Sequence, residues 1–285
     1  AAPRYFAKQI QMGGLMQVAD AFLSVQNSLS FIVNSYVDIA GWQAVTQRLS
    51  TFSDHLDAIS AEARGRQSIE ITTAGEGLAV DTLDLDLPNG TVLLHGISLA
   101  AAPGETLLIT GPTGVGKSTL LRAVAGLWPW GQGAIRIGEG TRLFLPQRPY
   151  LPLGTLKEAL LYPQAEAAAP AMPLEAALEA VGLGAFAVQL EVTDNWAARL
   201  SLGEQQRLAF ARVLLAAPAL VFLDEATSAL DEPSEAQLYA LLRQGARPPT
   251  VVSIGHRSTL RAYHDLSVDL AAFRPESRAV APAAG

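Results

Sequence analysis

The spacing of apolar residues changes several times along this chain, and each change predicts a different element. Ala21 to Val37 holds 17 positions without a charge, bracketed by Asp20 and Asp38. That is the low end of what can cross a bilayer. Ser24, Gln26, Asn27, Ser28, Ser30, Asn34 and Ser35 lie within it. The run therefore admits two readings: an amphipathic helix outside a membrane, or a span whose polar side chains face neighbouring helices. Val45, Leu49, Phe52, Leu56 and Ile59 continue at helical spacing to about Ala63, and Arg64-Gly65-Arg66-Gln67-Ser68 ends the helix. Ile69, Ile71, Leu78, Val80, Leu83, Leu85 and Leu87 then alternate with polar residues, as strands of a half-exposed antiparallel sheet do. Pro88-Asn89-Gly90 is a turn before another strand near Val92 to Leu99, so a globular domain starts near residue 66.

Leu107-Leu108-Ile109 reads as a buried strand, and Leu120 to Ala125 as a helix stopped by Gly126. Trp128-Pro129-Trp130-Gly131-Gln132-Gly133 reads as a turn, followed by strands at Ala134 to Ile137 and Thr141 to Leu145, which lead to Gln147. From Thr155 to Trp196 the composition turns to Ala, Leu and Glu with prolines, the mark of a small helical insert within about residues 150–215. Another helix runs from Leu200 to about Ala216. Ala219 to Leu223 is a continuous apolar run of buried-parallel-strand type, and Thr250 to Ile254 is a further strand. The Ala- and Pro-rich tail from about Ala271 to residue 285 reads as loosely ordered.

Composition narrows the function. A formal charge of −7 supplies no basic stripe, which argues against a protein living on nucleic-acid phosphates. The absence of cysteine excludes disulfides, thiolate metal sites and thiol catalysis. With 285 residues, half of them apolar, a substantial core can form. The opening Ala1-Ala2-Pro3, without Met or a signal-peptide pattern, reads as the start of a fragment.

The chemistry concentrates in Gly111-Pro112-Thr113-Gly114-Val115-Gly116-Lys117-Ser118-Thr119, a G-x-x-x-x-G-K-[ST] loop between a strand and a helix. Glycines let backbone N–H groups converge on phosphate oxygens, and the helix N-terminus adds partial positive charge. Lys117 would reach the β- and γ-phosphates of a nucleotide, and the Ser118 hydroxyl would take a position on Mg²⁺. Asp224 and Glu225 end the apolar strand, where open α/β sheets bind ligands. Asp224 would hold Mg²⁺ and Glu225 would polarise a water against the γ-phosphate. Ser201 and Glu204 have capping-box spacing, with Gly203 between them allowing close approach, so that helix could serve as a second anion-binding end. His256 emerges just past a strand, unlike His55, His95 and His264, which read as structural or surface residues.

The order of these segments resembles the nucleotide-binding domain of ATP-binding-cassette (ABC) proteins over about residues 66 to 265. Gly111 to Thr119 matches that family's Walker A, Gln147 its Q-loop glutamine, Leu200 to Gln205 its signature motif, and Val221 to Glu225 its Walker B. Ser228-Ala229-Leu230-Asp231 is similar to its D-loop and His256 to its switch histidine. The resemblance implies an α/β P-loop NTPase cassette with a mixed sheet core, an antiparallel β subdomain and a helical subdomain over residues 66–285. It also implies ATP as ligand, Mg²⁺ held by Ser118, Asp224 and Gln147, and a head-to-tail dimer. There, Ser201, Gly203 and Glu204 of one copy would meet the nucleotide of the other, and a single chain would bind ATP yet hydrolyse it poorly. Two departures stand out: Leu202 replaces a signature glycine, and Leu87 stands where an aromatic residue stacks on adenine.

Arg4-Tyr5-Phe6, Gly13-Gly14-Leu15-Met16-Gln17 and Gly126-Leu127-Trp128-Pro129 resemble a branch of exporter-type half-transporters. It contains the bacterial peptide, bleomycin and cobalamin importers and the peroxisomal fatty-acyl transporters. That resemblance favours a membrane span within residues 12–40 and makes residues 1–65 the last span and connecting helix of a permease, in a bacterial inner membrane with the cassette cytoplasmic. The implied function is the ATPase motor of a homodimeric transporter. A soluble cassette ATPase acting on ribosomes or DNA is the competing class; the missing basic surface, the single cassette and the short interval from Lys117 to Ser201 weigh against it. A static ATP-binding switch is disfavoured by the presence of both Glu225 and His256.

Overall fold

The computed structural model describes residues 11–65, 69–163, 169–244 and 247–275. The Arg4, Tyr5, Phe6 and Lys8 cluster lies outside them, as do residues 276–285 of the tail. The chain divides into two units, Ala1–Gly65 and Arg66–Gly285.

In the first unit, Met12–Gly65 is one helix of 54 residues, α1. No proline interrupts it, and some of its hydroxyls bond locally: Ser28 Oγ donates to the Ser24 carbonyl at 2.8 Å and Thr46 Oγ1 to that of Trp42 at 2.9 Å. The span favoured for residues 12–40 is corrected here. Among the described residues no helix is long and apolar enough to cross a membrane, because serine, asparagine and glutamine dilute the uncharged run. Over the full length of α1 the apolar residues do not gather on one face. Phe22, Leu29, Phe31, Tyr36 and Trp42 are all exposed in this unit.

In the second unit the elements run β1 (Glu70–Thr73), β2 (Leu78–Asp86), β3 (Val92–Ala101), β4 (Thr106–Thr110), α2 (Lys117–Val124), β5 (Gly131–Ile137) and β6 (Arg142–Leu145). There follow β7 (Gly154–Thr155), α3 (Leu156–Leu161), α4 (Leu174–Ala180), β8 (Thr193–Asp194), α5 (Trp196–Arg199) and α6 (Leu202–Ala216). The chain continues with β9 (Leu220–Asp224), α7 (Glu232–Arg243), β10 (Thr250–Ile254) and β11 (Leu266–Asp269).

Five strands in the order β11-β4-β10-β9-β6 make a sheet whose pairs are all parallel. Parallel strands covered on both faces are apolar throughout, which is why Leu107–Ile109 and Leu220–Leu223 are continuous runs. Their side chains alternate between two cores. Leu108, Val221, Leu223 and Val251 pack with α6 and α7, while Leu107, Ile109, Phe222 and Val252 pack with α2 and the second sheet.

That second sheet has the order β1-β5-β2-β3, antiparallel except for the β1–β5 pair, so the mixed pairing falls here rather than in the five-stranded core. In β2, Val80 and Leu83 are both buried although three positions apart. The ladder shifts register between them, with Thr82 at φ 46, which restores the inward phase. The segment read as a turn ending at Gly133 is in part strand. A Cβ at Gly131 would lie 2.1 Å from the Asp84 carbonyl oxygen, so glycine here serves close strand approach.

The helical insert forms as α3, α4 and α5, and also carries a two-stranded ladder, β7–β8, that its composition did not signal. Trp196 is fully buried at its centre. Within the tail, Leu270–Phe273 forms a 3₁₀ turn, fixed by the buried Leu270 and by Asp269 accepting from the Ala271 N–H at 2.9 Å.

Candidate nucleotide site

All the parallel strands point the same way, so β4, β10, β9 and β6 deliver their carboxyl ends to one edge of the sheet. Ile254 of β10 pairs with Ile109 on one side and Asp224 on the other. The loop after β4 and the acids after β9 therefore flank the end of β10, about 10 Å apart at the usual strand spacing.

The loop from Gly111 to Gly116 is shaped by glycines at φ 138, 77 and 112 (Gly111, Gly114 and Gly116). Pro112, Thr113 and Gly114 form its exposed crest, and Val115 is buried beneath. At Gly116 a Cβ would meet Leu93 Cδ2 at 2.9 Å and Leu94 Cδ1 at 3.0 Å, so this glycine is needed for packing behind the loop as well as for its mouth. Gly116 is also the N-cap of α2, and supplies no side-chain acceptor; the first turn contains no acidic residue. The free N–H groups at that end are therefore directed at whatever anion enters the loop. Thr119 is half-buried in the same turn. Lys117 is 9% exposed, and its ammonium donates to the carbonyls of Gly111 at 2.8 Å and Pro112 at 3.1 Å, at the loop's own neck.

Ser118 Oγ donates to Asp224 Oδ1 at 3.3 Å. Burial raises the Asp224 pKa above the ordinary 3.8; the Ser118 hydrogen bond opposes the rise and the Glu225 charge adds to it. A buried carboxylate that resists its charge gains from a nearby divalent cation, so these residues fit Mg²⁺. No group of three or more acidic, His or Cys side chains among the described residues could cage a metal. Magnesium would therefore rely on the hydroxyl, Asp224 and phosphate oxygens, as this ion usually does.

Glu225 follows at φ 51, a left-handed conformation that non-glycine residues rarely adopt. Gln147 Nε2 donates to Glu225 Oε2 at 3.2 Å, which leaves the Gln147 amide oxygen free to face a cation. His256 Nδ1 lies 3.7 Å from Glu225 Oε1, with 65% of the His256 side chain exposed. Thus Lys117, Ser118, Asp224, Glu225, Gln147 and His256 gather at one edge.

Ser201, Gly203 and Glu204 do not join them through any hydrogen bond. At the start of α6, the Glu204 N–H donates to Ser201 Oγ at 3.3 Å, and Glu204 Oε2 accepts from the Ser201 N–H at 2.8 Å and from its hydroxyl at 2.7 Å. The bonds from Ser201 hold the Glu204 pKa below the ordinary 4.5.

Two residues were missed in the sequence. Gln206 is completely buried, and Arg257 donates to the carbonyls of Ser228 at 2.8 Å and Leu230 at 2.9 Å. The legible signal for Gln206 was an amide on the helical face it shares with Phe210 and Val213, which are buried too.

A strand–loop–helix phosphate cradle, with acids at the carboxyl end of a neighbouring parallel strand, defines a P-loop nucleoside-triphosphatase fold of cassette type. The comparisons specify it further. Residues 94–228 match the ABC transporter family. An ABC transporter ATP-binding protein of Synechocystis, not characterised, is 44% identical over 275 residues, covering 92% of this chain and 41% of that protein. The chloroplastic ABC transporter D family member 2 of Arabidopsis thaliana is 35% identical over 347 residues, covering 97% of this chain and 49% of that one. Among solved structures, a bacterial Atm1-family ABC exporter with ATP bound superimposes with a TM-score of 0.60 at 26% identity, covering 71% of this chain and 38% of that one. Residues 94–228 therefore belong to the ABC transporter family, whose cassettes bind and hydrolyse ATP. The chain spans less than half the length of these relatives.

Proposed function

We propose that this chain is the ATP-hydrolysing motor part of a homodimeric ABC membrane transporter, seated at a bacterial inner membrane with its cassette in the cytoplasm. Residues 66–285 form the cassette in this reading, and residues 1–65 belong to the permease side. The observation that carries it is the convergence of the glycine loop, the Ser118–Asp224 pair and the Gln147–Glu225–His256 group on one sheet edge.

The loop amides from Gly111 to Thr119 and the α2 N-terminus grip the triphosphate, and Lys117 exchanges its loop carbonyls for phosphate oxygens. Ser118, Asp224 and the Gln147 amide oxygen are the residues that would hold Mg²⁺, which when bound would offset phosphate charge. Glu225 accepts a proton from the attacking water as the bond to the γ-phosphorus forms and ADP leaves. Gln147 orients that carboxylate, and His256 stands beside it to steady the γ-phosphate. Ser201, Gly203 and Glu204 come from the second copy, so ATP closes the dimer and hydrolysis reopens it. The relatives' names, all of transporters, favour this over a cassette acting on ribosomes or DNA.

The test is hydrolysis by the full chain across a range of protein concentrations. A rate per chain that rises with concentration supports shared sites. A constant rate, with no ATP-driven dimer, refutes them.

A further inference from the structure

Gln206 is 0% exposed, and its amide lies between the two loops that carry the candidate catalytic groups. Its Nε2 donates to the Gln147 carbonyl at 2.9 Å and to Ser228 Oγ at 3.3 Å, while its Oε1 accepts from the Ala229 N–H at 3.0 Å. Both donors and the acceptor oxygen are thus engaged. A buried amide satisfied in this way specifies one geometry, because releasing any partner orphans a polar group.

The loops so tied are the ones around Glu225. Gln147 Nε2 reaches Glu225 Oε2 at 3.2 Å and Ser228 Oγ at 3.4 Å, and the Ser228 N–H donates to the Glu225 carbonyl at 3.1 Å. From the opposite side Arg257, next to His256, holds the Ser228 and Leu230 carbonyls. Residues 228–230 are therefore clasped between α6 and the segment after β10. The helix that contributes Gln206 is capped five residues earlier by Ser201, about 7.5 Å along its axis. One short rigid piece therefore joins the end of α6, which in the proposed dimer faces the other copy's nucleotide, to the loops holding this chain's own acid.

We infer that Gln206 is a positioning residue that couples the two nucleotide sites of the dimer, transmitting engagement of α6 by one nucleotide to the Gln147–Glu225 geometry at the other. It rests on the dimer reading above. An amide that merely filled the core would affect melting alone. A coupling residue changes turnover and cooperativity and leaves ATP affinity in place.

The experiment is steady-state Mg-ATP hydrolysis by the full chain with Gln206→Met, Ser228→Ala and the double variant. Gln206→Met is expected to lower kcat by about 10-fold or more, keep KM within about twofold, and reduce the Hill coefficient for ATP to one. Adding Ser228→Ala to it should cost less than Ser228→Ala alone, since both break the same link. A folded Gln206→Met protein with normal kcat and Hill coefficient overturns the inference. So does a raised KM at normal kcat. Where Gln206→Met melts below the assay temperature, Ser228→Ala alone decides, through a loss of cooperativity or its retention. If the unaltered chain shows no ATP-driven dimer, the dimer reading itself has failed; if it dimerises and the variants behave normally, only the coupling role is lost.

Discussion

Ser118 Oγ stands 3.3 Å from Asp224 Oδ1, although the two residues are 106 positions apart and the strands that lead to them, β4 and β9, are separated in the sheet by β10. The contact closes the distance between phosphate loop and acidic strand, and places a hydroxyl and a carboxylate on one point. Because burial holds the Asp224 pKa above 3.8, this carboxylate takes up a proton sooner than its unfolded counterpart as pH falls. Its ionised form costs stability at neutral pH, and that cost is relieved as pH drops through the raised folded value. Protons should accordingly compete with Mg²⁺ for this carboxylate, giving turnover at limiting Mg²⁺ an acid limb that saturating Mg²⁺ moves to lower pH. A pH profile of kcat/KM checks this: Asp224→Asn should remove that limb, and both Asp224→Asn and Ser118→Ala should weaken the Mg²⁺ response about 10- to 100-fold.

Glu225→Gln keeps the shape and the Gln147 contact while removing the basic oxygen. Turnover is expected to fall by about 10² to 10⁴-fold, with ATP affinity within about twofold. Single-turnover hydrolysis beside equilibrium ATP binding reads both; a steady-state rate that survives the change moves the base elsewhere.

Glu204 sets a negative charge at the end of α6 that the dimer reading aims at a partner's γ-phosphate. Glutamine can also close a capping box, so Glu204→Gln keeps the helix start and deletes the charge. ATP-driven dimerisation should tighten by roughly two- to fivefold, the usual worth of one charge near a helix end. Sedimentation in the Glu225→Gln background measures it, and unchanged or weaker association counts against that orientation. In the native chain the depressed Glu204 pKa means that the stabilisation it provides is present above the ordinary 4.5 and is lost as pH falls through the lower folded value.

Leu87 closes the β2–β3 turn, its N–H donating to the Thr91 carbonyl at 2.8 Å, where the resemblance places an aromatic residue against adenine. An aliphatic side chain offers a base no stacking face. ATP and GTP should be hydrolysed with similar kcat/KM, and Leu87→Tyr should improve ATP affinity about 2- to 10-fold, the worth of one stacked aromatic pair. Competition between the two nucleotides decides it.

Phe222 is fully buried two residues before Asp224 and stacks on Phe144 of β6 at 4.3 Å. Phe222→Ala should cost about 3–5 kcal/mol by transfer and cavity terms together. Reversible denaturant unfolding is the measurement, and a loss below about 1 kcal/mol would show that the sheet collapses around the gap.

The sequence by itself determined the phosphate loop, the buried strands that flank it and the capped start of α6, all of which depend on local spacing. Continuous apolar runs at Leu107–Ile109 and Ala219–Leu223 could only be buried strands, the glycine-rich loop could only be a turn feeding a helix N-terminus, and Ser201 with Glu204 spelled a capped helix. It misjudged residues whose role is set by distant neighbours. The glycines at 131 and 133 looked like a turn because strand contact is invisible in a local window, and residues 12–40 looked span-like because a family resemblance outweighed their serines and asparagines. Tertiary structure alone decided that Ser118 meets Asp224, that Glu225 curls at φ 51 toward Gln147, and that Gln206 ties α6 to residues 228–230. Side-chain periodicity reports which face of an element is buried, whereas strand order and register fix what that face meets. Those are settled only when the whole sheet assembles.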